Sequence, residues 1–189
     1  ESRLTELYVY RVIAPPNTLV KNVRKLAGGQ TIAFALESGA PVRDECANFQ
    51  TEDTPTGRPA DYFVDRTEEA LNTVIQATLQ SYKRPMVLLS GGTDSALLAT
   101  MALRLDPRVR SCSTSFSFLD KEDMEETYSQ TFADQIGMRH TIYRPTAEEY
   151  FSGVIESIAS SEEPQHHLQS VLLFLLSKNY GSQEADMFF

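Results

Sequence analysis

The chain has 189 residues, 41% of them apolar and 23% charged, with a formal net charge of −9. That length and composition describe a globular chain able to bury a sizeable core, and they exclude disorder. The acidity argues against a nucleic-acid or anionic-membrane surface, which needs clustered Lys and Arg, and the longest apolar run, residues 171–176, is far too short to span a bilayer.

No signal-peptide pattern is seen, and Cys46 and Cys112 stand apart with no Cys-x-x-Cys pair, so small apolar thiols and a reducing cytoplasm are expected. Residues 49–60 are polar and carry Pro55, Gly57 and Pro59, which marks a linker. It divides an N-terminal segment, 1–60, from a core, 61–189. Phe63, Thr67, Ala70, Leu71, Val74, Ile75, Thr78 and Tyr82 recur at helical spacing. Strands are expected at 86–89, 109–117 and 140–143, alternating with helices, the pattern of a parallel sheet covered on both faces. Thr146-Ala147-Glu148-Glu149 has the capping-box pattern and opens a helix toward Ile158. Glu122, Asp123, Glu125 and Glu126 read as an exposed acidic helix face. His140 reads as structural, and His166-His167 as a solvated helix start rather than a metal site.

Met86-Val87-Leu88-Leu89 runs into Ser90-Gly91-Gly92-Thr93-Asp94-Ser95 and then into the amphipathic stretch 96–103. An apolar strand, a glycine turn and a helix start make a phosphate cradle: Gly91 and Gly92 permit a sharp turn, backbone N–H groups and the helix dipole face an anion, and Ser90 and Ser95 add hydroxyl donors. Asp94 would repel a bare polyphosphate, so a divalent cation between them is expected, with Mg-ATP the candidate ligand. Thr93-Asp94 stand where a Walker A loop has its lysine, which excludes that class.

The Ser-Gly-Gly-x-Asp-Ser loop after a buried strand resembles the pyrophosphate loop of the N-type ATP pyrophosphatases, and the surrounding chain resembles the C-terminal synthetase domain of the asparagine synthetase family. The resemblance covers residues 8–45, where it implies a short helix from Pro15 to Leu26 and a strand from Thr31 to Leu36. It continues through Ser115-Phe116-Ser117-Phe118, Glu126 to Ala133, Ile136-Gly137, His140, Glu162-Glu163-Pro164, the apolar helix at 168–176, and Gln183-Glu184-Ala185-Asp186-Met187-Phe188-Phe189. It implies an adenine nucleotide alpha-hydrolase-like α/β fold, preceded by a small helix and β-hairpin. The implied reaction adenylates a substrate carboxylate, aspartate or an analogue, releases AMP and pyrophosphate, and passes the acyl group to an amine or ammonia. Leu89 and Phe118 would contact adenine, residues 90–95 would hold the phosphates, Asp94 and Asp186 would hold magnesium, and Asp94, Glu163 and Gln183 would take the catalytic positions. A separate glutaminase and self-association into a homodimer are further partners the resemblance admits. β-Lactam synthetases and lasso-peptide cyclases use the same scaffold, and a nucleotide-binding domain that has lost catalysis is the alternative of a different class.

The second motif departs from the family pattern: Gln183 stands at the family's glutamate, Glu184 at a glycine and Met187 at an acid, so Ala185-Asp186 alone survives intact. Asn179-Tyr180-Gly181-Ser182 leaves no room for the buried strand the family carries there. A strand bringing Asp186 to the loop needs several apolar residues ahead of it, so the expectation is that residues are missing before Gln183. The resemblance also implies further helices beyond Phe189, with the lysine that handles pyrophosphate among them.

Overall fold

A computed structural model describes residues 2–47, 57–119, 123–165, 167–181 and 183–189, in two compact units, Glu1–Gly57 and Arg58–Phe189. Most of the expected linker, together with Glu122, His166 and Ser182, lies outside the described residues.

In the first unit, helix α1 (Ser2–Tyr10) is followed by an antiparallel hairpin, β1 (Gln30–Phe34) and β2 (Pro41–Cys46), whose register shifts between Ala33 and Phe34. The expected helix from Pro15 to Leu26 is not formed. Pro15 and Pro16 lack N–H donors, and Thr18 Oγ1 donates to the carbonyls of Val20 and Val23, both at 2.9 Å, offering the backbone turns instead of a helical ladder. Helix α1 is not among the elements expected from the sequence.

The second unit is built on a four-stranded parallel sheet in the order β5-β4-β3-β6: β3 (Pro85–Leu88), β4 (Arg110–Thr114), β5 (Arg139–Tyr143) and β6 (Met187–Phe188). β4 is shorter than expected, because Ser115 and Phe116 leave the ladder and a single 3₁₀ turn spans Ser117–Leu119. Met86 and Val87 are 1% and 0% exposed, as a strand covered on both faces requires. Helices α2 (Ala60–Ser81), α3 (Thr93–Leu105) and α4 (Met124–Ile136) cover one face, packing Ile75, Ala99, Met101, Ala102 and Ala133 against Val87 and Leu89. Helices α5 (Ala147–Ser161) and α6 (Leu168–Tyr180) cover the other, where Leu176 packs against Met86 and Cys112. The α/β fold with helices on both faces is therefore as expected. None of the described helices is long and apolar enough to cross a membrane.

Local chemistry fixes the helix ends near the upper, carboxyl-terminal edge of the sheet. Thr146 and Glu149 form the expected capping box at α5, with Thr146 N–H donating to Glu149 Oε2 at 2.7 Å. The acidic run at α4 is not the plain solvated face expected. Asp123 is the N-cap, accepting from the N–H groups of Phe116 at 3.0 Å, Glu125 at 3.1 Å and Glu126 at 3.3 Å. Burial opposes its ionisation, but these donors and the Ser115 hydroxyl hold its carboxyl below the usual range. Glu126 pairs with Arg144 at 2.7 Å, tying α4 to the end of β5, and the guanidinium lowers the Glu126 pKa.

Beneath α4 the alternating serines of β4 form a buried polar track. His140 Nδ1 lies 2.9 Å from Ser111 Oγ, its Nε2 lies 3.1 Å from Ser113 Oγ, and Ser129 Oγ donates to Ser113 Oγ at 3.3 Å. Desolvation lowers the His140 pKa, so folding favours the neutral ring. The stability held by that neutral ring is fully present above about pH 6.5, the unfolded value, and falls as pH drops below it. Urea unfolding should therefore show stability declining from pH 7 toward pH 5.5, and His140→Gln should flatten this part of the profile.

Candidate nucleotide site

Because β3 runs upward into the loop and α3 starts directly after it, residues 90–95 lie at the carboxyl edge of the sheet, where ligands of open α/β sheets bind. The two glycines do different work. Gly91 has φ +79°, and a Cβ there would lie 2.6 Å from Tyr128 Cβ and 3.0 Å from the Ser129 backbone nitrogen, so the turn needs a left-handed residue with no side chain. Gly92, at φ −79°, is the N-cap of α3, and a Cβ there would meet Ser90 Oγ at 3.4 Å, an ordinary contact.

The serine hydroxyls are spent within the loop rather than held out as ligand donors, which corrects the role expected for Ser90 and Ser95. Gly92 N–H donates to Ser90 Oγ at 3.4 Å, the Ser90 and Ser95 hydroxyls lie 3.1 Å apart, and Ser95 Oγ donates to the Gly92 carbonyl at 3.0 Å. Ser90 N–H also reaches Ser95 Oγ at 3.2 Å. This circuit braces the turn. The N–H groups of Thr93, Asp94 and Ser95, in the first turn of α3, precede the first intrahelical donor, Ala96, and no side chain caps them. Asp94 is exposed in the same turn, and none of the described hydrogen bonds or ion pairs involves its carboxylate.

Two adjoining cavities open at the ends of β3 and β4. One of about 260 Å³ is floored by Leu88, Leu89, Ser90 and Cys112, and the other, about 410 Å³, is walled by Phe116, Leu119, Met124 and Leu168. Thr114, Glu125 and Gln169 line both. No Lys or Arg is among the described residues lining them. Burial pushes the Cys112 thiol up to about 12, so it stays protonated and is no nucleophile. A larger cleft of about 900 Å³ runs between α2 and α3 and meets the loop at residues 91–93. Its walls are mostly apolar, with Phe63, Leu71, Leu97 and Phe132, and carry one acid and one cation, Glu68 and Arg104.

Several expected site residues lie elsewhere. The Leu89 side chain is 1% exposed within the core, so only its backbone can border a ligand. Phe118 stacks on Tyr150 at 5.1 Å and Phe116 at 6.0 Å, committing its ring to the packing under α6. Asp186 is at the opposite edge of the sheet. Its carboxylate accepts from the N–H groups of Lys83 at 3.0 Å and Arg84 at 2.8 Å, at the start of β3, whereas the loop begins six residues later, about 20 Å away along the strand. It therefore does not meet Asp94, correcting its expected place as a shared metal ligand. The cause is the short connection after α6: the Tyr180 carbonyl accepts from Glu184 N–H at 2.9 Å and Ala185 N–H at 3.1 Å, a tight turn that delivers residues 183–186 to the lower edge without a preceding strand. The expectation of residues missing before Gln183 turns on the segment at Ser182, which lies outside the described residues. The Gln183 carbonyl accepts from Arg84 at that lower edge, away from the loop.

Glu163 follows the far end of α5. That helix starts at the upper edge and spans about 22 Å in its 15 residues. It runs alongside α6 in the same direction, with Tyr150 Oη donating to the Leu168 carbonyl at 3.1 Å and Lys178 pairing with Glu156 at 2.5 Å. Of the expected catalytic set, Asp94 alone is at the loop. Thr114, Glu125 and Gln169 were not among the expected site residues, and the one signal for any of them is the position of Thr114 at the carboxyl end of β4.

The asparagine synthase family model matches residues 66–189, two-thirds of the chain and the whole of the sheet. The chain belongs to the asparagine synthase family. Putative glutamine-hydrolysing asparagine synthetases of Mycobacterium bovis and Mycobacterium tuberculosis are 26% identical over 175 residues, covering 90% of this chain and 26% of theirs. The chain thus spans about a quarter of those relatives' length. Among solved structures it is similar to an NH3-dependent NAD synthetase from Campylobacter jejuni, with TM-score 0.43, 17% identity, and 64% of this chain and 53% of the other covered. It is also similar to a glutamine-dependent NAD+ synthetase from Acinetobacter baumannii solved with ADP, with TM-score 0.43, 15% identity, and 79% and 28% covered.

The geometry at Gly91 has a direct consequence. Gly91→Ala adds left-handed strain to a collision with the α4 backbone and should cost about 2 kcal/mol or more of unfolding free energy, while Gly92→Ala should cost under about 1 kcal/mol. Urea titration of the two variants measures the difference.

Proposed function

We propose that the Arg58–Phe189 unit binds Mg-ATP and forms an acyl-adenylate, the first half of an amide-bond synthesis. The observation that carries this reading is the braced turn at residues 90–95, with three backbone N–H donors at the start of α3 and an exposed carboxylate in the same turn. These donors suit the pyrophosphate that leaves when a substrate carboxylate attacks the α-phosphorus of ATP, because preorganised amides favour charge that grows in the transition state. The absence of a Walker lysine supports cleavage at the α-phosphorus rather than transfer of the γ-phosphoryl group.

Asp94 is the residue that would hold magnesium. The ion fits there because magnesium takes one or two carboxylates and completes its shell with phosphate oxygens and water, and the described residues contain no cluster of three or more acids, histidines or cysteines that would form a closed cage. When bound, it neutralises charge on the leaving pyrophosphate. Asp94 positions that charge, the circuit through Ser90 and Ser95 keeps the amides aligned, and the apolar floor of Leu88 and Leu89 excludes water behind them. The acyl acceptor is an amine or ammonia, and a glutaminase elsewhere in the assembly would be its source if glutamine is the donor.

A second reading has one observation in its favour. With Asp186 and Gln183 about 20 Å from the loop, Asp94 is the one member of the expected catalytic and metal-binding set that stands in the loop among the described residues, as in a nucleotide-binding domain that has lost turnover.

Product analysis on the full-length protein separates the readings. Incubation with Mg-ATP, carboxylates and ammonia should yield AMP and pyrophosphate in equal amounts, and ADP with phosphate as the products would exclude the mechanism. Asp94→Asn should weaken magnesium-dependent ATP binding by at least about tenfold, or ~1.4 kcal/mol, in calorimetry. Binding that depends on Asp94 without pyrophosphate release would select the second reading.

A further inference from the structure

We propose that Glu125 selects the nucleotide base, its carboxylate accepting from the exocyclic amine of adenine in the paired cavities beside the loop. The proposal rests on the nucleotide-binding reading and adds to it a residue that reads the base.

The argument starts from charge. A nucleotide has an anionic end and an uncharged aromatic end, and the two halves of this site suit one each. Free amides and the α3 dipole face the loop, where the phosphates are favoured. The cavities beyond Ser90 hold Asp123 and Glu125 and no cation among their described lining residues, so they repel phosphate and carboxylate groups. Their apolar walls, Phe116, Leu119 and Met124, match a purine face. The nucleotide is therefore oriented with its base toward α4 and α6.

Glu125 is singled out by elimination among the three described acids at the start of α4. Asp123 is saturated by the backbone donors it caps and by the Ser115 hydroxyl. Glu126 is held by Arg144. Glu125 lines both cavities, and its carboxylate takes part in no hydrogen bond or ion pair among the described residues. Its backbone is anchored, because its N–H is one of the donors to Asp123 at 3.1 Å, so the side chain starts from a defined point at the cavity mouth. A carboxylate can only accept. It therefore favours the N6 amine of adenine over the O6 carbonyl that hypoxanthine puts in the same position, where two acceptors would face each other. Gln169, which borders both cavities from α6, can donate and accept, so it adds a contact without reversing that preference.

The test is calorimetric titration of the full-length protein with AMP and with IMP, for the wild type, Glu125→Gln and Glu125→Asp. The wild type should bind AMP at least tenfold more tightly than IMP. Glu125→Gln, whose amide can donate to O6, should cut that preference to threefold or less while leaving inorganic pyrophosphate binding unchanged. If Glu125→Gln does not fold, Glu125→Asp, with a shorter reach, should lower the preference by the same criterion. An undiminished preference in a folded variant overturns the assignment of Glu125 and leaves nucleotide binding standing. A wild-type protein that binds neither nucleotide overturns both.

Discussion

The upper edge of the second unit depends on one steric constraint: Gly91 must pass against the backbone of α4 in a left-handed conformation, with no room for a Cβ. That contact sets how close α4 comes to the loop, and so how wide the cavities between them are. The same helix is held from its other sides by the Asp123 cap and by the Glu126–Arg144 pair. A shift of α4 would have to break the cap, separate the ion pair or open the packing at Gly91, and these are coupled because Asp123 and Glu126 lie on one turn. The loop in turn is stiffened by its own hydroxyl circuit. The α3 amides are thus aligned before any ligand arrives, as electrostatic preorganisation requires.

Much of this was legible in the sequence where local signals and pattern agreed. The apolar run, the glycines and the amphipathic stretch gave β3, the loop and α3 in sequence order, and Thr146 with Glu149 marked the start of α5. Asp123 and Glu126 carry the same spacing, Asp-x-x-Glu, but they sit inside a run of acids whose pattern equally fits a solvated face. Charge density concealed a cap. The serines of β4 likewise fit a longer strand, whereas Ser115 donates the last backbone bond to β5, to the Tyr143 carbonyl at 3.0 Å, and its hydroxyl bonds Asp123, where the strand gives way to the turn.

The tail was legible in composition and illegible in position. A resemblance assigns Asp186 a role by its neighbours in sequence, but where an aspartate stands in a parallel sheet depends on how many residues precede it after the last helix. The connection after Tyr180 is a tight turn, so Asp186 meets the N–H groups of Lys83 and Arg84 just ahead of β3 and supports the lower edge. Glu163 illustrates the same point, because the length of α5 decides which edge receives it. Local motifs survive such shifts, and sites assembled from distant segments do not.

Charge gives the arrangement its direction. The basic residues Lys83, Arg84, Arg108 and Arg110 gather around a cavity of about 410 Å³ at the lower edge, where Asp106 and Glu184 pair with Arg108 and Arg110. The upper edge has Asp94, Asp123 and Glu125, and the chain as a whole is at −9. A free polyphosphate approaching the loop would meet a repulsive field, and only short-range amide donors would favour it. Pairing that anion with a divalent cation removes most of the repulsion while leaving its oxygens available to the α3 amides. On the proposed nucleotide-binding reading, the acidity of this edge selects for the metal-bound form and directs the uncharged base toward the carboxylates.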